Sequence, residues 1–261
     1  MRVGIISGTG TAELPGLQDT RRTTLATAHG PSDVTTGTLA GVEVVHISRH
    51  GEGHMRLSNN VNHRANLSAL LESQVDCLVS LTVCGAVHPD LALGSLVVFD
   101  DLYFPSNRLP DGTPCTWYQK AGQSGRGHWI FDRTFSEEIR SDLIDAAVHS
   151  GLSLEPGGCY GHVDGPRFNT RTEIAALAAA GVVAVSQTAG PEVVLAAEAE
   201  LPMALVGYLT DYANGVKAEP EPVEALLQRI AASTATFATL LEAVLPTLRR
   251  VGPVGTMHRF G

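Results

Sequence analysis

The sequence predicts an α/β fold in which a mixed β-sheet is flanked by helices. Short apolar runs that are typical of strands alternate with stretches whose apolar residues recur at helical spacing. The 261 residues are 44% hydrophobic, which is enough to bury a sizeable core. Because no Ser/Gly-rich linker, charge block or repeat divides the chain, we expect one domain over residues 1–248 and a C-terminal tail over residues 249–261.

Strands are predicted where a short apolar or alternating run ends at a glycine or polar turn. These runs cover residues 2–7, 34–39, 42–47, 77–83, 96–99 and 202–209. The second and third runs flank Ala40-Gly41 and therefore predict a hairpin. Helices are predicted at residues 60–73, 135–149, 170–180, 191–200 and 222–245. Residues 105–127 are rich in Pro, Gly and Ser and are expected to form a long surface loop.

The charge and the apolar runs exclude two classes of partner. The formal net charge is −9, so a basic stripe for nucleic acid is not expected. No apolar run approaches the ~18 residues of a membrane span. The first residues enter a strand directly and do not resemble a signal peptide. We therefore expect a cytoplasmic protein that binds neither nucleic acid nor a membrane.

The cysteines and histidines do not predict a metal site. The four cysteines are too widely spaced for zinc pairs and too few for a disulfide framework. They are Cys77, Cys84, Cys115 and Cys159. His50 and His54 are four residues apart but lack the Glu that a zinc-protease helix carries between its two histidines. We expect reduced thiols and no bound metal.

Several predicted strands end at polar, glycine-bearing segments. In open α/β sheets ligands bind outside the carboxyl ends of the strands, so these segments are expected to meet at one site. They contain Gly8-Thr9, Arg49-His50, Thr82, Thr188 and Asp211. Each segment alone also fits an ordinary turn or helix cap, and only their combination in one chain indicates a site.

The first four of these segments suit a phosphate ion. The turn Ser7-Gly8-Thr9-Gly10 presents backbone N–H groups and a hydroxyl, and the Arg49 guanidinium can form two parallel hydrogen bonds to an oxyanion. A helix that begins near Pro191 places its positive end close to Thr188. The turn has neither the Lys of a P-loop nor the third glycine of a dinucleotide-binding motif, which excludes both of those functions.

Asp211 is the candidate for acid catalysis. It follows the apolar run 204–209, and a carboxyl group that is partly desolvated there has a raised pKa. It can then stay protonated and donate to a leaving group, although an Asp that caps the next turn has the same sequence context. Asn214-Gly215 and Pro220-Glu221-Pro222 predict a flexible loop after it, which is a candidate lid.

Taken together, these residues resemble the trimeric purine nucleoside phosphorylase and 5'-methylthioadenosine phosphorylase family, and the methylthioadenosine branch most. The resemblance extends from Gly4 to about Leu245. Its most specific segments are Ser48-Arg49-His50-Gly51, Val61-Asn62-His63-Arg64-Ala65-Asn66, Gly165-Pro166-Arg167-Phe168, Pro191-Glu192-Val193-Val194-Leu195-Ala196 and Thr210-Asp211-Tyr212.

The resemblance implies a nucleoside phosphorylase-type fold and a phosphorolysis reaction, in which a nucleoside and phosphate give a free base and a sugar 1-phosphate. It implies a homotrimer, with a hexamer as the alternative, whose active sites lie at subunit interfaces. It implies no metal or organic cofactor, and inorganic phosphate is a co-substrate.

The resemblance also implies roles for individual residues. Phosphate is held by Thr9, Arg49, His50, Thr82 and Thr188. The ribose is contacted by Val83, Gln187 and, from the neighbouring subunit, His128. The purine is contacted by Cys84, Gly85, Phe168, Asn169, Asp211 and Ala213, and Asp211 is also the catalytic acid.

Three residues depart from the family pattern at the sugar and the base. Gln187 stands where the family usually has Met, Ala213 where the methylthioadenosine branch has a second Asp, and Asn169 where the two branches have Ser or Glu. Asp211 favours a 6-aminopurine, because a carboxyl group accepts from an exocyclic amine. We therefore expect a 5'-modified adenosine, such as 5'-methylthioadenosine or 5'-deoxyadenosine, as substrate. The alternatives are a 6-oxopurine nucleoside and a chain that binds nucleosides without cleaving them.

Overall fold

A computed structural model describes residues 1–9, 11, 13–219 and 221–260. Within them the predicted α/β fold is confirmed, because helices and strands alternate and one large sheet contains both parallel and antiparallel pairs. Gly10 of the predicted glycine turn, Pro220 of the predicted loop and Gly261 of the predicted tail lie outside the described residues.

The described residues form the following strands: β1 Arg2–Ser7, β2 Gln18–Thr27, β3 Gly30–Leu39, β4 Val42–Ser48, β5 Cys77–Ala86, β6 Leu96–Val98, β7 Asp101–Tyr103, β8 Gly127–Phe131, β9 Leu154–Glu155, β10 Cys159–His162, β11 Val182–Ser186, β12 Met203–Tyr212 and β13 Gly255–Arg259. The α-helices are α1 His63–Glu72, α2 Glu137–His149, α3 Arg171–Ala179, α4 Ala189–Glu198 and α5 Val223–Val244.

β5 is the central strand of the large sheet, because three other strands pair with it. β1 and β12 run parallel to it, and β11 pairs antiparallel with its last two residues. The sheet continues from β1 through β4, β3 and β2, and from β11 through β10 and β7. β8 and β13 form a separate antiparallel ribbon. Because β1, β4, β5 and β12 are parallel, their carboxyl ends lie at the same edge of the sheet.

Helices cover both faces of this sheet. Leu70 of α1 and Val193 of α4 pack with Leu78 of β5 in one core cluster, and Phe237 of α5 packs with Val79 of β5 in the other. Leu78 and Val79 are neighbours that point to opposite faces, as the two-residue period of a strand requires. Among the described residues, no helix is both long and apolar enough to cross a membrane.

All the predicted strands and helices are present, with shifted ends. β3 and β4 form the predicted hairpin around Ala40-Gly41. β5 continues to Ala86 and β12 to Tyr212, because Gly85 pairs with Asp211 between the two strands. α4 begins at Ala189, two residues before the predicted start, and this shift makes Thr188 the N-cap of the helix.

Seven strands are not evident from the sequence pattern. β2 is long, but its residues are mostly polar and exposed, so no apolar run indicates it. β7, β9 and β10 contain two to four residues, which is too few for a periodic signal. β11 is a short apolar run that begins directly after the predicted helix 170–180 and was not assigned as a strand. β8 begins where the predicted loop ends, and β13 lies within the predicted tail.

Candidate active site

One cavity lies at the carboxyl ends of β1, β4, β5, β11 and β12, and its volume is about 320 Å³. The structure brings all the predicted site residues to this cavity except His128. Those that line it are Thr9, Arg49, His50, Thr82, Val83, Cys84, Gly85, Phe168, Asn169, Gln187, Thr188, Asp211 and Ala213. The prediction that ligands bind at the carboxyl ends of the strands therefore located the cavity correctly.

Arg49 is buried at one end of the cavity and is held by four hydrogen bonds. Its Nε and Nη2 donate to the two carboxylate oxygens of Glu192, at 2.8 and 3.0 Å. Nη2 also donates to Ser80 Oγ at 2.8 Å, and Nη1 donates to the Leu81 carbonyl at 2.8 Å. The two parallel bonds that we predicted for an oxyanion are thus made to a carboxylate. Among bonds to described residues, one Nη1 hydrogen is left for a ligand.

The glycine turn after β1 lies directly against this guanidinium. A Cβ atom at Gly8 would be 2.5 Å from Arg49 Nη1, so only glycine allows the turn to come this close. The same Cβ would be 3.8 Å from Nε2 of His50. The turn, the remaining Nη1–H and the His50 ring therefore border one small space, which suits the predicted oxyanion.

Glu192 binds Arg49 and belongs to one of the segments that carry the family resemblance, but no role was predicted for it. It lies in the first turn of α4, with its side chain inaccessible to solvent. Its Oε2 accepts from Ser80 Oγ at 2.6 Å in addition to Arg49. His63 of α1 lies nearby, with Nδ1 3.8 Å from Oε1. A lone carboxylate inside the apolar segment from Ala189 to Ala197 is the sequence signal that indicates such a buried ion pair.

His50 is neutral and presents an acceptor. Its Nδ1 lies 2.8 Å from the Arg56 carbonyl, which can only accept, so Nδ1 carries the hydrogen and Nε2 has the lone pair. Burial and, after it, the charge of Arg49 lower the pKa of His50 to about 4. The ring of His54 stacks on His50 with centroids 4.2 Å apart. A neutral His50 can accept a hydrogen bond from the P–OH group of a hydrogen phosphate ion.

Thr82 and Thr188 place two further hydroxyls at this end of the cavity. Thr82 Oγ1 lies 3.2 Å from Ser186 Oγ, which ties the ends of β5 and β11 together. Thr188 is 4% exposed and, within the described residues, its side chain caps no backbone N–H of α4. Its hydroxyl is therefore available at the positive end of the helix dipole, where anions are favoured.

Asp211 lies at the other end of the cavity, opposite Gly85 in the β5–β12 register. Its Oδ1 accepts from Thr210 Oγ1 at 2.7 Å, and a Cβ atom at Gly85 would be 3.5 Å from Oδ2. Burial is the largest effect on this carboxyl group and raises its pKa. The neighbouring Cys84 thiol is buried, and burial also raises its pKa. The predicted rise in the pKa of Asp211 is therefore present, and it makes the group a candidate proton donor.

The segment 163–169 and Gln187 form the mouth of the cavity. Gln187 Oε1 accepts from Ser58 Oγ at 2.9 Å, and its Nε2 donates to the Arg167 carbonyl at 3.0 Å. Phe168 in the same segment is 65% exposed, so its ring is free to stack on a ligand. Nδ2 of Asn169 lies 3.3 Å from Glu173, which leaves the Asn169 Oδ1 as an acceptor. Gln187 thus bridges two segments of the chain at the mouth.

His128 does not line the cavity of its own chain. It lies on β8 opposite His258 of β13, and its ring contacts Phe260 with centroids 5.0 Å apart. The resemblance implied that His128 serves a neighbouring subunit, and for that role its place away from its own cavity is no obstacle. The role stays a prediction.

The cavity is also lined by residues for which no contact with phosphate, ribose or purine was predicted. They are His54, Leu57, Ser58, Val163, Pro166, Ile174, Val185, Ser186, Thr210, Asn214, Leu226 and Ile230. Leu226 and Ile230 are four residues apart on α5, and their helical spacing was predicted but not the cavity that they face. Within residues 1–9, 11, 13–219 and 221–260, no group of three or more His, Cys, Asp or Glu could hold a metal ion.

Comparison with known proteins agrees with the resemblance. The family model described as "Phosphorylase superfamily" matches residues 2–246. The "Probable 6-oxopurine nucleoside phosphorylase" of Thermococcus kodakarensis is 34% identical over 87% of each chain. The "S-methyl-5'-thioadenosine phosphorylase" of Geobacter sulfurreducens is 33% identical over 80% of this chain and 72% of its own.

Solved structures give the same result for the fold. "Methylthioadenosine phosphorylase from Schistosoma mansoni in complex with adenine" superposes with a TM-score of 0.86 and 26% identity, over 95% of this chain and 91% of that chain. The predicted nucleoside phosphorylase-type fold is confirmed. On the family match and on relatives that cover most of its length, the chain belongs to the phosphorylase superfamily.

Proposed function

We propose that this chain catalyses phosphorolysis of a purine nucleoside, and that its substrate is a 5'-modified adenosine such as 5'-methylthioadenosine or 5'-deoxyadenosine. The products are the free purine and a 5-modified ribose 1-phosphate. One observation carries the proposal: the anion-binding groups and the Asp211 carboxyl group lie at opposite ends of one cavity. Thr82 and Gly85, which represent the two ends, are three residues apart on β5, or roughly 10 Å. That span accommodates a ribose between phosphate and base, with Val83 and Cys84 alongside.

The phosphate end supplies donors, an acceptor and positive charge. The hydroxyls of Thr9, Thr82 and Thr188 donate to phosphate oxygens, and the remaining Nη1–H of Arg49 adds a charge-assisted bond. Neutral His50 accepts from the P–OH group through Nε2. The α4 N-terminus favours the anion. A phosphate held in this way attacks C1' of the ribose.

The base end assists the departure of the purine. The bond between C1' and N9 breaks through an oxocarbenium-like state, whose positive charge is stabilised by the adjacent phosphate. Asp211 in its protonated form donates to N7, so that the purine leaves without a full negative charge. General acid assistance of this kind typically contributes ~10²–10⁴ in rate. The phosphate oxygen completes the new bond to C1', and the proton of Asp211 is carried by the base.

The base preference rests on Asp211. With Oδ2 protonated towards N7, Oδ1 keeps a lone pair beyond its bond from Thr210 and can accept from an exocyclic 6-amine. Phe168 is placed to stack on the purine, and Cys84, Gly85 and Ala213 border it. The adenine-bound methylthioadenosine phosphorylase of similar fold supports this preference.

A 6-oxopurine nucleoside is the second candidate. Ala213 offers no second acceptor for an amine, and Asn169 can donate to or accept from either kind of base. The Thermococcus kodakarensis relative, whose name is that of a probable 6-oxopurine enzyme, supports this alternative. The two candidates share the phosphate end and the mechanism, and differ only in what Asp211 and Asn169 bind.

The ribose contacts and the subunit assembly are the remaining parts of the proposal. Val83 and Gln187 line the sugar region within one chain. His128 is proposed to reach the 5' end of the sugar in a neighbouring subunit of a homotrimer, or of a hexamer built from trimers. We further propose that residues 1–248 act as one domain, that the tail 249–261 follows it, and that the protein is cytoplasmic. The proposed reaction needs phosphate as co-substrate and no organic cofactor.

Chromatography of released base tests the proposal. The panel is methylthioadenosine, 5'-deoxyadenosine, adenosine, methylthioinosine and inosine, each with and without phosphate. Adenine release that requires phosphate and is fastest with a 5'-modified sugar is the expected result. Release of hypoxanthine alone would replace the first candidate by the second. Tight nucleoside binding without any release would indicate a chain that binds and does not cleave.

A further inference from the structure

An ion pair between Glu221 and Arg229 lies next to the base end of the cavity. Arg229 of α5 donates from Nη1 to Glu221 Oε2 at 2.5 Å and from Nη2 to Oε1 at 3.0 Å, which is a bidentate contact. Nη1 also donates to the carbonyl of Thr210 at 3.1 Å. One guanidinium therefore joins the end of the loop before α5 to the strand that carries Asp211. This pair belongs to none of the phosphate, ribose or purine contacts assigned above.

The position of Arg229 connects it to the cavity from two sides. Leu226, three residues before it on the same helical face, and Ile230, the next residue of α5, both line the cavity. Thr210, whose carbonyl it binds, donates its own hydroxyl to Asp211 Oδ1 at 2.7 Å. Glu221 is thus linked to Asp211 by hydrogen bonds to Arg229 and Thr210, with the covalent structure of Thr210 between its carbonyl and its hydroxyl.

The two charges of the pair also affect the pKa of Asp211, in opposite directions. Glu221 raises the pKa of Asp211 and Arg229 lowers it, both less than burial does. The titratable group that faces Asp211 from β5 is the buried Cys84 thiol, which is protonated and neutral. The Arg229 and Glu221 side chains are 26% and 35% exposed, so solvent screens them only in part. The two charges of the pair therefore act on the pKa of Asp211 in opposite directions, and the effect of Glu221 is the larger.

We propose that Glu221 and Arg229 are positioning residues for the base end: their ion pair fastens Glu221 and α5 to the end of β12 and sets the electrostatic environment of the Asp211 carboxyl group. This inference rests on the proposed function, in which that proton is given to the departing purine. Ala213 and Asn214, which follow directly after β12, line the cavity. The pair therefore acts on the proton donor and on the wall of the purine site together.

The proposal predicts that Glu221→Gln and Arg229→Gln shift the protonation of Asp211 in opposite directions. Glu221→Gln leaves an uncompensated positive charge beside Asp211, which favours the ionised carboxylate. Arg229→Gln leaves an uncompensated negative charge, which favours the protonated form. A purely structural contact would be broken by either change, and both variants would then shift in the same direction. The double variant should return close to the wild type.

A titration of Asp211 itself tests this without any reaction. The protein is labelled with [4-13C]aspartate, and the Asp211 carboxyl resonance is assigned by its absence in Asp211→Asn. The titration midpoint should fall in Glu221→Gln, rise in Arg229→Gln and return in the double variant. Arg2→Gln and Glu43→Gln, which break an exposed pair at the opposite end of β1, are matched controls that should not move it. Midpoints that stay unmoved, or that move together, would overturn the proposal.

Base release gives the second readout. The rate at a fixed pH on the alkaline side of the profile should fall in Glu221→Gln and rise in Arg229→Gln, by about threefold each for a partly exposed pair. The KM for phosphate should stay unchanged, because the pair lies at the other end of the cavity. Opposite carboxyl titrations with no phosphate-dependent release in any variant would keep the electrostatic link and reject phosphorolysis. Phosphate-dependent base release with unmoved Asp211 titrations would support phosphorolysis and reject the electrostatic link.

Discussion

Arg49 and Glu192 form an ion pair in which both side chains are inaccessible to solvent. Nε and Nη2 of Arg49 lie 2.8 and 3.0 Å from the two oxygens of Glu192, and neither side chain has accessible surface. Glu192 belongs to the first turn of α4, and Arg49 follows β4. The pair therefore fixes the guanidinium of the phosphate end to the helix whose N-terminus faces the same space.

Glu192→Gln should strongly destabilise the protein. The substitution leaves the buried guanidinium without its counter-charge, and removal of one partner of a buried pair costs about 3–5 kcal/mol. Urea unfolding followed by circular dichroism measures the loss. Glu200→Gln, which breaks an exposed contact with Arg259, is the control and should leave the midpoint nearly unchanged. Equal midpoints for Glu192→Gln and the wild type would show that the pair contributes little.

Asp211→Asn should slow release of a 6-aminopurine by about 10²–10⁴. The amide can donate a hydrogen bond to N7 but cannot transfer the proton that N7 receives when the purine leaves. Relative activity should move towards 6-oxopurine nucleosides, because the amide can donate to O6. The measurement is kcat/KM for adenosine-type and inosine-type substrates, with the KM for phosphate as the internal control. Unchanged kcat/KM would remove Asp211 from the mechanism.

Acidification should destabilise the fold through four buried histidines. Burial lowers the pKa of His46 and His50 to about 4 and that of His63 and His162 to about 3. Between these values and the unfolded value of about 6.5 the unfolded chain binds more protons, so stability is present above pH 6.5 and is lost as the pH falls. Near pH 5 these groups alone predict uptake of about four protons on unfolding, or roughly 5 kcal/mol per pH unit.

The free energy of unfolding in urea at pH 7, 6 and 5 measures this slope. His46→Gln removes one of the four groups and should reduce the uptake by about one proton, whatever its effect on stability at pH 7. A free energy of unfolding that stays constant from pH 7 to pH 5 would mean that the four rings are accessible to protons in the folded state.

Gln187→Met should weaken nucleoside binding and spare phosphate binding. The change removes the bonds to Ser58 and to the Arg167 carbonyl, each worth about 1 kcal/mol, so KM for the nucleoside should rise roughly 5- to 30-fold. Ser58→Ala removes only the first bond and should have the smaller effect. In the double variant with Gln187→Met, Ser58→Ala should raise the KM for the nucleoside no further, because the glutamine that Ser58 binds is already absent. Fully additive effects would contradict the bridge.

The site was largely predictable because its residues share a simple geometric rule. Parallel strands bring their carboxyl ends to one edge, so Thr9, Arg49, Thr82 and Asp211 could be grouped from the sequence pattern. The rise in the pKa of Asp211 follows from the apolar run before it. The central strands were predictable for the same reason, because a buried parallel strand is a continuous apolar run.

The rest of the site depends on contacts between distant segments. Glu192 pairs with a residue 143 positions away in the sequence, and nothing near it in the chain names that partner. Leu226 and Ile230 belong to a helix whose apolar face was evident, although which part of that face borders a cavity is decided by packing. β2 was missed because an exposed edge strand needs no apolar pattern.

Phosphorus NMR of a reaction with nucleoside and inorganic phosphate tests the central claim most directly. The account predicts that the phosphate signal declines while a sugar 1-phosphate signal grows, in step with free purine measured in the same tube. Base that is released equally fast without phosphate, with no new phosphate ester, would show that water and not phosphate is the nucleophile, and would contradict the account.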